Sequence, residues 1–104
     1  MKTAVIFCDH ISERKLSKYI QKFYDLKTKF NFLKYPTCFC KGMMNIEILE
    51  NFGDRDDHPF EWCIDISSVD KNKERFKQEV EVLNKYLASK CKTSVDWEDN
   101  LKLD

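Results

Sequence analysis

"FEWCIDIS", residues 60–67, alternates large apolar side chains with polar or small ones. Phe60, Trp62, Ile64 and Ile66 fall on one side of an extended chain, and Glu61, Cys63, Asp65 and Ser67 on the other. A helix, with a period of 3.6, would scatter such a pattern around its axis. The segment therefore reads as a strand with one dry and one wet face, as in an antiparallel sheet covered on a single side. Upstream, "MMNIEILEN" (43–51) repeats the signature, Met44, Ile46 and Ile48 alternating with Asn45 and Glu47. Two such strands around a polar loop containing Gly and Pro predict an antiparallel hairpin.

Working outward, "TAVIFC" (3–8) is almost continuously apolar, as expected of a strand buried on both faces. Ser12 offers an N-cap oxygen and Glu13 a negative charge in the first turn of a helix. Leu16, Tyr19, Ile20, Phe23 and Tyr24 recur at spacings of three and four, with Lys15, Lys18, Lys22, Lys27 and Lys29 around them. This predicts an amphipathic helix with a basic outer face, ending near Phe30. Pro36 and Gly42 punctuate residues 31–43, where a short further strand fits around Cys38–Cys40. Ser67 and Asp70 read as the capping box of a second helix, whose apolar stripe is Phe76, Val80, Leu83 and Leu87. "KTSVDW" (92–97) alternates again and gives a last strand, and residues 97–104 form a short acidic tail.

The resulting order is strand, helix, strand, strand, helix, strand in a single domain, 1–104. That is the ferredoxin-like α+β sandwich, an antiparallel sheet with two helices on one face. This architecture hosts many activities, so function has to be argued from particular residues.

Composition narrows the field. With 42% hydrophobic and 35% charged residues over 104 positions, the chain can build a core and remain in solution. Its longest early apolar run, Ala4–Cys8, is too short for a membrane span or a signal-peptide core, so a cytoplasmic setting is expected. The five cysteines then read as reduced thiols, mostly buried as small hydrophobes. Cys38-Phe39-Cys40 lacks both the spacing and the second pair of a zinc knuckle. No phosphate-binding loop, dinucleotide fingerprint or nucleophile elbow is present. A Cys8–His10 thiolate pair is rejected because Cys8 ends an apolar strand, where burial makes a thiol inert.

Formal charge sums to zero but is segregated. Residues 1–45 hold nine Lys/Arg against three Asp/Glu, whereas residues 46–70 hold one against eight. In the expected topology the end of the first strand and the loop of the hairpin share one sheet edge. Asp9 and His10 are then expected near Asp54, Asp56, Asp57 and His58.

Two functional readings follow. In the first, acidic residues attract a basic protein that itself handles nucleic acid, and the domain acts as a non-enzymatic inhibitor of the immunity or anti-defence kind. Asp54, Asp56, Asp57, Glu61 and Asp65 supply the charge, Asp96, Glu98, Asp99 and Asp104 add to it, and Trp62, Phe52 or Trp97 serve as anchors. No cofactor is required. In the second, Asp9, His10, Asp57 and His58 bind a divalent cation, and the domain is a metal-dependent nuclease or phosphodiesterase. Direct nucleic-acid binding is disfavoured. Glu74, Glu79 and Glu81 interrupt the basic face of the second helix, and no strand carries an aromatic stacking motif. A wet sheet face or open edge could also pair with a second copy to give a homodimer. The protein-binding reading is preferred, because it draws on the whole acidic segment rather than on four residues.

Overall fold

In the computed structural model the described residues are 1–26, 35–51 and 60–98. They form β1 (Lys2–Asp9), α1 (Glu13–Tyr24), β2 (Cys38–Lys41), β3 (Met44–Glu50), β4 (Trp62–Ser68), α2 (Lys73–Ala88) and β5 (Lys92–Trp97). The fold is α+β, with one sheet of order β2-β3-β4-β1-β5 in which every neighbouring pair is antiparallel. Five strands stand in the sheet: the four of the expected order and a short one where the sequence leaves room for it, around Cys38–Cys40. The addition is β2, joined to β3 through a two-residue turn at Gly42–Met43. Gly42 takes a φ of +60° there, the positive value that tight hairpin turns need at their first central position.

Pairing fixes which side chains share a face. Ile46, Ile66 and Ala4 stand side by side across three strands, and Ile48, Ile64 and Ile6 form the next row. Both rows face the helices, which contribute Leu16 and Ile20 from α1 and Phe76, Val80, Leu83 and Leu87 from α2. Burying each such side chain contributes roughly 1.5–3 kcal/mol relative to leaving it in water. Phe39 of β2 lies opposite Ile46 and joins the same core, so the extra strand is held by a buried anchor as well as by its ladder.

The segment leading into β2 is tied to α1. The Ser17 hydroxyl donates to the Pro36 carbonyl (2.5 Å), and the Tyr35 hydroxyl donates to Glu13 Oε1 (2.8 Å). Gln21, also buried, spends its side-chain NH₂ on Ser17, keeping this polar cluster satisfied.

Several local expectations are corrected. Helix α1 stops at Tyr24 rather than near Phe30, because Asp25 enters the left-handed region (φ 52°) and its N–H bonds back to Lys22 O and Gln21 O. Asp tolerates that conformation better than most residues, and it ends helices much as glycine does. Helix α2 is capped by Asn72, whose side chain accepts from Arg75 N–H, and the Ser67/Asp70 box does not form. Asp70 instead accepts from Asn72 N–H (2.9 Å) and holds the Arg75 guanidinium through two contacts (2.6 and 3.1 Å). Of the five cysteines, all free, Cys8 alone is buried, while Cys38 and Cys40 are exposed. The Cys91 sulfur beside it and its burial push the Cys8 thiol well above the ordinary range, consistent with an inert group.

Phe60 also departs from the sequence pattern. It precedes β4 and its ring packs on Phe7 at 6.0 Å, although Phe7 faces away from the helices. These two form a small second apolar cluster outside the main core.

Two measurements follow. Ile64→Ala, at the centre of the core, should lower unfolding free energy by about 2–5 kcal/mol in urea titration. Val82→Ala, on a side chain 56% exposed, should stay within about 0.5 kcal/mol. Arg75 and the Asn72 amide hold the Asp70 carboxyl below its ordinary value. The unfolded chain therefore takes up the proton first in acid. Stabilisation from Asp70 is complete above the unfolded-state value of 3.8 and is lost as pH falls through the lower folded-state value. Asp70→Asn should destabilise at neutral pH and make the acid-side decline of the melting midpoint shallower.

Candidate functional site: the helix-free sheet face

The register that buries one set of side chains exposes the other. On the face away from the helices, Glu47 stands directly opposite Asp65, Asp65 opposite Val5, and Val5 opposite Asp96. One row thus carries three carboxylates across β3, β4, β1 and β5. Cys38 of β2 extends it at the edge beside Glu47. The next row holds Leu49, Cys63 and Phe7, an apolar strip beside the acidic one. Leu49 is 38% exposed, and Phe7 is covered by Phe60.

Like charges placed directly opposite on a sheet repel, and such pairs are destabilising. Loss of hydration, then the neighbouring Glu47, push the Asp65 carboxyl above its ordinary value. Lys92 brings a positive charge to this face, opposite Asp9, but its ammonium lies 5.4 Å from the Phe60 ring centre. At the far end Glu98 is already engaged, accepting from the N–H (3.0 Å) and hydroxyl (2.8 Å) of Thr3.

Of the residues expected to act together, Asp65, Glu61 and Trp62 are among those described. Asp65 lies on the helix-free face, in the centre of the row. Glu61 is exposed just before β4, where its carbonyl accepts from Asn51 N–H (3.0 Å) and closes the base of the hairpin. Asp54, Asp56, Asp57 and His58, together with Phe52, lie outside the described residues. Trp62 is placed on the helix side of the sheet, opposite Cys8, packed against the core, with its indole N–H donating to Ile11 O (3.0 Å). Trp97 likewise lies on the helix side, opposite Ala4. Neither tryptophan shares a face with the acidic row. Glu47 completes the row, although the sequence reading counted it only within the acidic segment. Its parity with Asn45 on β3, carried through the hairpin register, would have identified it.

Asp9 and His10 stay close to each other. Asp9 ends β1 on the helix-free face, opposite Lys92. His10 turns into the left-handed region (φ 61°) and its Nε2 is 3.9 Å from Asp9 Oδ2. His10 also lines a cavity together with Ile11, Ser12, Lys15, Tyr19 and Lys90. Among the described residues no group of three His, Cys, Asp or Glu is positioned to hold a metal ion, and no helix is long and apolar enough to cross a membrane.

Removing a carboxylate from this row should stabilise the isolated protein. Asp65 binds its proton more tightly folded than unfolded, so its ionisation weakens the fold. That penalty is absent below the unfolded-state value of 3.8 and fully present above the raised folded-state value. Asp65→Asn is expected to raise the melting midpoint at neutral pH by a few degrees, in line with roughly 0.2–1 kcal/mol for a cross-strand pair. The gain should vanish in acid, as calorimetry across a pH series will report.

No protein-family model matches the chain, and searches of curated proteins and of solved structures returned no match.

Proposed function

We propose that the domain works by binding a basic protein on its helix-free sheet face, and that it inhibits a partner whose own business is with nucleic acid. The supporting observation is the cross-strand row Glu47–Asp65–Val5–Asp96, set beside the apolar strip of Leu49 and Cys63. Two directly opposed carboxylates cost the isolated fold stability. Cationic side chains of a partner would relieve that repulsion and recover its cost as affinity. An apolar strip flanked by charge is also how interfaces divide their labour, with desolvated contacts at the centre and charged groups steering the encounter. A protein that binds phosphate backbones presents lysines and arginines in rows, and such a surface complements this one.

The architectural reading belongs with this proposal. Leaving out β2, the strand order is β3-β4-β1-β5, with β1 and β3 running parallel on either side of β4. That order supports a ferredoxin-like sandwich widened by one edge strand, a frame whose open sheet face is free for recognition. The cytoplasmic setting is proposed on the same terms, resting on exposed thiols at Cys38 and Cys40 that suit a reducing compartment. Metal-dependent phosphodiester cleavage is the second reading: of its four ligands, Asp9 Oδ2 lies 3.9 Å from His10 Nε2, and Asp57 and His58 lie outside the described residues.

The test is affinity capture with the tagged full chain, eluted in salt steps and compared between wild type and Glu47→Lys/Asp65→Lys/Asp96→Lys. Wild type should retain basic proteins that leave at moderate salt, and the reversed variant should lose them. A Lys18→Glu/Lys22→Glu control on the helix layer should behave as wild type. Retention of the same proteins by the reversed variant would sink this surface. Because Asp65→Asn is expected to stabilise the fold, weaker capture by that variant cannot be a folding defect.

A further inference from the structure

A cavity of about 440 Å³ opens on the opposite side of the molecule's charge distribution, where three separate elements meet. The β1–α1 loop gives it His10, Ile11 and Ser12, α1 gives Lys15 and Tyr19, and the turn after α2 gives Lys90. Among the described residues no carboxylate lines it. Its polar groups are two ammonium ions, an imidazole and two hydroxyls, a set dominated by hydrogen-bond donors. Asp9 Oδ2 lies 3.9 Å from His10 Nε2.

The walls are held before anything binds. Trp62 Nε1–H donates to Ile11 O and so fixes the loop against the sheet. Ser12 Oγ accepts from Lys15 N–H (3.2 Å), which leaves the hydroxyl proton free to donate. Lys90 is anchored by its N–H to Leu87 O (2.8 Å), and its ammonium sits 5.5 Å from the Tyr19 ring centre and 5.6 Å from that of Tyr86. That cation–π seat suspends a long, mobile side chain at the cavity rim. His10 adopts a backbone conformation uncommon for a residue with a side chain (φ 61°) and is one of the lining residues.

We infer that this cavity binds a small phosphorylated molecule, its phosphate held by Lys15, Lys90 and His10 and its organic part against the ring of Tyr19. A phosphate dianion matches two ammonium groups better than a carboxylate does, and lysine binds phosphate as a point charge without strict geometry. The volume lies within the range of small-ligand pockets and exceeds what a bare phosphate fills. The first turn of α1 adds the positive end of its dipole, but the site is defined by side chains from three elements. This inference is independent of the acidic sheet face, and neither stands or falls with the other.

The experiment is isothermal titration calorimetry and thermal unfolding of the full chain with inorganic phosphate, adenosine monophosphate and adenosine, at ionic strength matched with chloride. Adenosine monophosphate and phosphate should bind and raise the midpoint, the nucleotide more strongly, and adenosine should do neither. Lys15→Gln/Lys90→Gln should weaken nucleotide binding by about tenfold or more, while Lys18→Gln/Lys22→Gln, elsewhere on exposed α1, should not. Lys90→Arg keeps charge and ring contact and should retain most of the binding, which separates loss of the site from loss of fold. Absence of binding by both phosphate and nucleotide overturns the proposal. So does a midpoint rise that chloride reproduces, or binding that survives the Lys15/Lys90 substitution.

Discussion

Strands have a period of two, so a sheet can be shifted by one residue only by turning every side chain to the wrong face. In this protein that constraint is concentrated in the pairing of β1 with β4, where Ile6 meets Ile64 and Ala4 meets Ile66. Those residues, with Ile46 and Ile48 of β3, make the floor on which both helices rest. The same register lines up Glu47, Asp65 and Asp96 on the reverse side. Core and charged face are therefore one decision seen from two sides. No substitution could move the acidic row without also unmaking the floor.

Charge follows the layers. α1 carries Arg14, Lys15, Lys18 and Lys22 against Glu13, whereas the helix-free face carries Glu47, Asp65, Asp96 and Asp9 against Lys92. A molecule with no formal net charge is thus strongly polarised from one layer to the other. Polarisation of this kind orients an approaching partner as well as attracting it, so that the correct face arrives first.

The parts legible in the sequence were those written in period. Alternation over 44–48 and 62–66, and the three-and-four spacing of Leu16, Ile20, Phe76, Val80, Leu83 and Leu87, announce strands and helices because burial imposes those periods. What escaped was decided by single backbone choices or by distant neighbours. Asp25 ends α1 through a left-handed turn that an apolar pattern running on to Phe30 conceals. Asp70 looks like a cap, yet Arg75 makes it the acid of an ion pair and Asn72 takes the cap. Phe60 keeps the parity of its strand on paper, but Phe7 draws its ring to the other face. Trp62, attractive as an exposed anchor, spends its indole N–H on Ile11. The cation cavity was invisible for a plainer reason: Lys15 and Lys90 line one cavity although they lie on separate elements far apart in sequence, and nothing local to either lysine signals it.

The base of the β3–β4 hairpin is clamped independently of the residues it carries. Asn51 is buried, its N–H bonds to Glu61 O, its side chain donates to Phe60 O (2.9 Å), and Phe60 is pinned in turn on Phe7. The ends of β3 and β4 are thus latched by contacts set apart from the helix-side core. Paired strands fray from their ends, where opening costs least. The latch closes one such end, so the register that pairs Ile48 with Ile64 and Glu47 with Asp65 is held there by polar and aromatic contacts as well as by its ladder.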